Sequence, residues 1–72
     1  GTEKILKEAE EKLNSGEFQM AVELSDLILN AGCEEETKAK IIKAKAFLAL
    51  GARMTSANGR HYYIASAKEL ME

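Results

Sequence analysis

Apolar positions recur along this chain at helical rather than strand spacing, and glycines break the recurrence at three places. Ile5, Leu6, Ala9 and Leu13 make one stripe with charges on the opposite face, which predicts a first helix over Thr2 to Asn14. Thr2 has the hydroxyl of a capping residue. Asn14-Ser15-Gly16 stops that helix, since glycine accepts the left-handed conformation common at helix ends. The pattern restarts at once in Ser15-Gly16-Glu17-Phe18-Gln19-Met20-Ala21, which reads as the corner of a helical hairpin. A second helix is expected over Glu17 to Asn30. Phe18, Ala21, Val22, Ser25, Ile28 and Leu29 form its face, widened by Leu24 and Leu27, with Met20 either core filler, which is favoured, or an exposed contact. Asn30-Ala31-Gly32 is the second stop, with Gly32 just past the helix end.

The third helix is predicted from Glu35 to Leu50. Its apolar residues lie on more than one side: Ala39, Ile42, Ala46, Phe47, Ala49 and Leu50 on one, Ile41, Ala44 and Leu48 on another. A helix apolar this far around is central. Leu50-Gly51 reads as its stop, Ala52 to Gly59 as a loop, and Asn58-Gly59 as a turn. The fourth helix starts at Ala57 or Arg60 and runs to Met71. Tyr63, Ile64, Ala67, Leu70 and Met71 are its buried stripe, and Tyr62 lies off that stripe with Ser66 and Glu69. The expected fold is all-α, four helices in two hairpins.

Length sharpens this picture. Seventy-two residues make one domain at most, and a core that small contributes only about 3–5 kcal/mol of net stability. Such a chain gains from a disulfide, a metal or a partner surface. Cys33 is the only cysteine, so no disulfide closes within the chain, and Cys33 with His61 falls short of a structural zinc set. A partner surface remains. The net charge of −2 lacks the basic excess of a nucleic-acid binder. No apolar run approaches the roughly 20 residues of a membrane span, and no signal peptide is visible, so localisation stays open. The Gly1-Thr2 start, without an initiator Met, reads as a piece of a larger protein.

Candidate chemistry is sparse. Cys33 has no orienting base other than His61 and reads as a partly buried thiol. Glu34-Glu35-Glu36 opens the third helix where carboxylates suit the dipole; consecutive helical residues point apart and do not converge on a metal. Lys38, Lys40, Lys43 and Lys45 scatter around the same helix, with Glu34–Lys38 and Glu36–Lys40 at ion-pair spacing. In the first helix Glu3–Lys7, Lys4–Glu8 and Glu8–Lys12 have that spacing too.

Gly16-x-Phe18-x-x-Ala21 resembles the tetratricopeptide consensus at its helix-to-helix turn. The second half keeps Ala44 and Gly51 in corresponding places, then departs, with Arg53 in the aromatic position and Ser56 in the alanine position. The expected architecture is therefore a tetratricopeptide-like bundle.

A closer resemblance rests on three blocks: Gly16-Glu17-Phe18-Gln19-Met20-Ala21-Val22-Glu23-Leu24, Ala44-Lys45-Ala46-Phe47-Leu48-Ala49-Leu50-Gly51, and Arg60-His61-Tyr62-Tyr63-Ile64-Ala65-Ser66-Ala67-Lys68-Glu69-Leu70. Together they resemble the dimerisation domain of metallo-β-lactamase-like alkyl sulfatases. The last block is similar to that family's Arg-Asn-aromatic-Tyr-Leu-x-x-Ala-x-Glu-Leu through Arg60, Tyr63, Ala67, Glu69 and Leu70. His61 replaces the usual Asn, and Asn58-Gly59 stands where the family has Pro-Trp. The resemblance implies that residues 1–72 are a single non-catalytic dimerisation domain from a larger hydrolase of alkyl sulfate esters. It implies a homodimer and a hydrolase domain in the same parent chain. The two zinc ions it implies belong to that absent domain, as no cofactor is expected here.

On this reading Phe18, Met20, Ile41, Leu48 and Tyr62 are the candidate dimer-interface residues. Arg60 and His61 are candidates for presenting positive charge to a sulfate. The competing reading is a tetratricopeptide-like adaptor that binds peptides, disfavoured because two hairpins offer little concave surface.

Overall fold

A computed structural model of the chain describes residues 1–32 and 34–72. The reading of Cys33 as a partly buried thiol lies outside the described residues. Four helices follow in order: α1 (Thr2–Asn14), α2 (Phe18–Ala31), α3 (Glu36–Arg53) and α4 (Ala57–Leu70). Among the described residues there is no strand, and the fold is all-α as the periodicity predicts.

α1 starts without a side-chain cap. Gly1 holds the cap position, and the Thr2 hydroxyl, expected to cap α1, instead donates to Glu35 Oε1 at 2.8 Å, tying the start of α1 to the start of α3. The Ser15–Glu17 corner closes α1 with paired backbone bonds, Glu17 N–H to the Lys12 carbonyl at 2.9 Å and Gly16 N–H to the Leu13 carbonyl at 3.2 Å. This is the Schellman arrangement, and it needs a left-handed residue, which Gly16 supplies at φ +84°. Gly32 ends α2 in the same region at φ +63°.

The core sits among α1, α2 and α3. Leu6, Ala9, Ala21, Val22, Ile28, Ala39, Ile42 and Ala46 are its buried members. Four of them are alanines with no exposed surface, so these helices approach closely. Ser25 is equally buried, and its hydroxyl donates back to the Ala21 carbonyl at 2.7 Å, which satisfies it inside the helix. Of the two readings of Met20, core filler and exposed contact, the structure takes the second: it is 44% exposed. Its side of α2 faces away from both neighbouring helices.

Two expected boundaries move. α3 does not stop at Gly51 but runs through it to Arg53. Gly51 serves packing here. A Cβ built on it would lie 3.1 Å from Tyr63 Cβ and 3.5 Å from the Arg60 carbonyl oxygen, so the missing side chain lets α4 cross close to α3. The expected Ala52–Gly59 loop shrinks to Met54, Thr55 and Ser56. Asn58-Gly59 is the first turn of α4, because the Ser56 hydroxyl accepts from Gly59 N–H at 3.0 Å and starts the helix early. Of the spaced ion pairs, Glu36–Lys40 closes at 3.6 Å; Lys12 turns to Glu17 across the corner at 3.5 Å, and Lys43 reaches Asp26 on α2. Glu3–Lys7, Lys4–Glu8, Glu8–Lys12 and Glu34–Lys38 stay open, as suits solvated pairs worth only tenths of a kcal/mol.

α4 packs on α3 alone, while α1, α2 and α3 all touch one another. The molecule is a slab of 38 × 26 × 13 Å. Its accessible surface is 4799 Å², against roughly 4,400 Å² for a compact monomer of this mass. The surplus follows from an outer helix with a single neighbour.

Candidate functional site

α3 divides its circumference among its neighbours. Ala39, Ile42 and Ala46 face the core. Gly51 faces α4, and Phe47 meets Tyr63 with ring centroids 5.8 Å apart. Tyr63 in turn packs edge-on against Tyr62 at 5.4 Å. What remains of α3 is uncovered: Ile41 and Leu48 are 37% and 49% exposed.

Two shallow grooves flank α3. One runs between α1 and α3, lined by Glu10, Leu13, Asn14, Lys38, Ile41, Ile42 and Lys45. The other lies between α3 and α4, lined by Lys43, Phe47, Tyr62, Ser66, Glu69 and Leu70. Ile41 and Tyr62, expected on one interface, thus line different grooves. Tyr62 is 64% exposed. Met20 lies on α2 in neither groove, and exposed Leu27 is its neighbour two helical turns on. Phe18 is half-buried, packed against the core on one side and covered on the other by Arg53, whose guanidinium carbon sits 4.5 Å from the ring centroid.

Arg53 is the residue that sequence reasoning undervalued. It stands in the aromatic position of the tetratricopeptide-like pattern, and that departure was the signal. Besides covering Phe18, its Nη2 donates to the Gly16 carbonyl at 3.4 Å, so the last turn of α3 clamps the α1–α2 corner. At that corner the Ser15 hydroxyl lies 2.9 Å from Glu17 Oε2, and this hydrogen bond, with the charge of Lys12 behind it, holds the Glu17 carboxyl below its ordinary value of 4.5.

Ile64 and Met71, expected in the buried stripe of α4, are 38% and 57% exposed. The spacing was helical as read; α4 has only one neighbour, and α3 covers a narrower arc than the stripe spans. Arg60 Nη2 donates to the Met54 carbonyl at 3.2 Å and bridges the α3–α4 connection, while His61 is exposed. Among the described residues, no group of three His, Cys, Asp or Glu is placed to hold a metal ion. Among the described residues, no helix is long and apolar enough to cross a membrane.

A family model described as alkyl sulfatase dimerisation matches residues 1–72. The chain belongs to the alkyl sulfatase dimerisation family. No curated protein and no solved structure gives a significant match. The role carried by the family is dimerisation, a non-catalytic role, and it suits a chain whose apolar surface is incompletely covered.

Proposed function

We propose that this chain is the homodimerisation module of a zinc-dependent, metallo-β-lactamase-like alkyl sulfatase, a sulfuric ester hydrolase. The observation that carries the reading is the family match along the whole chain. The uncovered apolar residues of α3 and α4 support it, because a lone helix pair gains stability by burying such a face against a second copy. Zinc is assigned to the hydrolase domain of the same parent chain, as the resemblance to such enzymes implies. The dimer would then brace two hydrolase domains without touching substrate.

Two measurements test the two halves of this reading. Light scattering across a concentration series should find this chain dimeric; a strict monomer at high concentration contradicts the dimerisation role. The parent protein should release inorganic sulfate from a linear alkyl sulfate, lose that activity to a chelator and regain it with zinc. A dimeric parent that releases no sulfate contradicts the enzyme assignment alone.

A further inference from the structure

We infer that the second copy docks on one specific face of the α3–α4 pair, formed by Ile41, Leu48, Ile64 and Met71. This rests on the dimerisation reading above and goes beyond it by choosing among three exposed apolar regions: Met20 and Leu27 on α2, the groove that holds Tyr62, and this face.

The placement follows from the packing of α4 on α3. Gly51 lies against Tyr63 Cβ, with Ile64 Cγ1 at 3.9 Å from the position a Cβ would take. Tyr63 leans to the side where Phe47 meets its ring and where Tyr62, Ser66 and Leu70 line the groove. Ile64 is turned about 100° from Tyr63 around the helix axis, toward the opposite side. Met71 follows two turns later on the same face. On α3, Ile41 and Leu48 are also two turns apart, and they face away from Lys43 and Phe47, which floor the Tyr62 groove. The helices run antiparallel, so Leu48 comes level with Ile64 and Ile41 with Met71.

The result is a four-residue apolar face with seven-residue spacing along both elements, Met71 standing at the cap just past the end of α4, and seven is the spacing at which helices interdigitate in bundles. A two-fold axis parallel to the helices places α3 of one copy over α4 of the other, antiparallel, and closes a four-helix bundle. Each α4 gains the second neighbour it lacks in the monomer. The Met20–Leu27 strip has no such second helix beside it, because it lies on the outward side of α2, and the Tyr62 groove is floored by Lys43 already paired to Asp26.

The test compares two double variants with the wild-type chain by sedimentation equilibrium, with circular dichroism confirming that each stays helical. L48K with I64K should raise the dimer dissociation constant at least tenfold, and M20K with L27K should leave it within about twofold. Should M20K with L27K dissociate the dimer while L48K with I64K leaves it intact, the face is wrong and the dimerisation reading survives. A wild-type chain that is monomeric throughout removes both.

Discussion

Arg53 and Phe18 bind the end of α3 to the corner between α1 and α2, across 35 residues of chain. The guanidinium stacks on the ring and donates to the Gly16 carbonyl from an exposed position, so the stacking contributes about 0.5–1 kcal/mol. A double-mutant cycle of Arg53→Ala and Phe18→Leu, read by urea unfolding, should show coupling of that size; additive losses would mean the ring and the cation act independently. Glu17 at the same corner gives a pH signature. The Ser15 hydroxyl first, and Lys12 second, favour its charged form and lower its pKa in the folded chain. A lowered folded value means the contribution is fully present above the ordinary value of 4.5 and fades as pH falls through the lowered one. Ser15→Ala should move the Glu17 titration, followed by carboxyl NMR, upward toward 4.5; an unmoved titration would show that Lys12 alone sets it.

Among the helices, glycine carries two opposite meanings. Gly16 and Gly32 end helices in the left-handed region, as their sequence context predicts. Gly51 reads the same way in sequence yet lies inside α3, where it admits α4. Propensity alone says that Gly51→Ala should stabilise α3 by about 1 kcal/mol. The new methyl would press on Tyr63 Cβ, 3.1 Å away, which does not move without α4, and such overpacking costs about 1–3 kcal/mol. The expected outcome is a lower urea midpoint; a raised midpoint would mean α4 yields freely. The same ambiguity explains what was legible. Helix type and the first corner follow from local spacing and local backbone demands. The length of α3 and the exposure of Ile64 and Met71 depend on how many neighbours α4 has, and no periodicity contains that; of the two starts the spacing allows for α4, Ala57 and Arg60, the local Ser56 cap selects Ala57. Ile41 and Leu48 stood out because α3 is apolar beyond one face. Ile64 and Met71 did not, because their stripe looked like an ordinary buried one.

At the scale of the whole molecule, three helices share a core and the fourth waits on one flank. A 13 Å thick slab with an α4 supported on one side is half of a two-layer arrangement. Membership of the alkyl sulfatase dimerisation family and the uncovered α3–α4 face support the same conclusion, that this chain completes its fold against its own copy. The interaction is then part of its stability, which makes the folded fraction depend on concentration. The most direct measurement is sedimentation equilibrium of the chain over a wide concentration range. The account predicts a rise from 7.9 kDa toward twice that mass with a single dissociation constant. A mass that stays at 7.9 kDa at the highest concentration, with the helices intact, would contradict it.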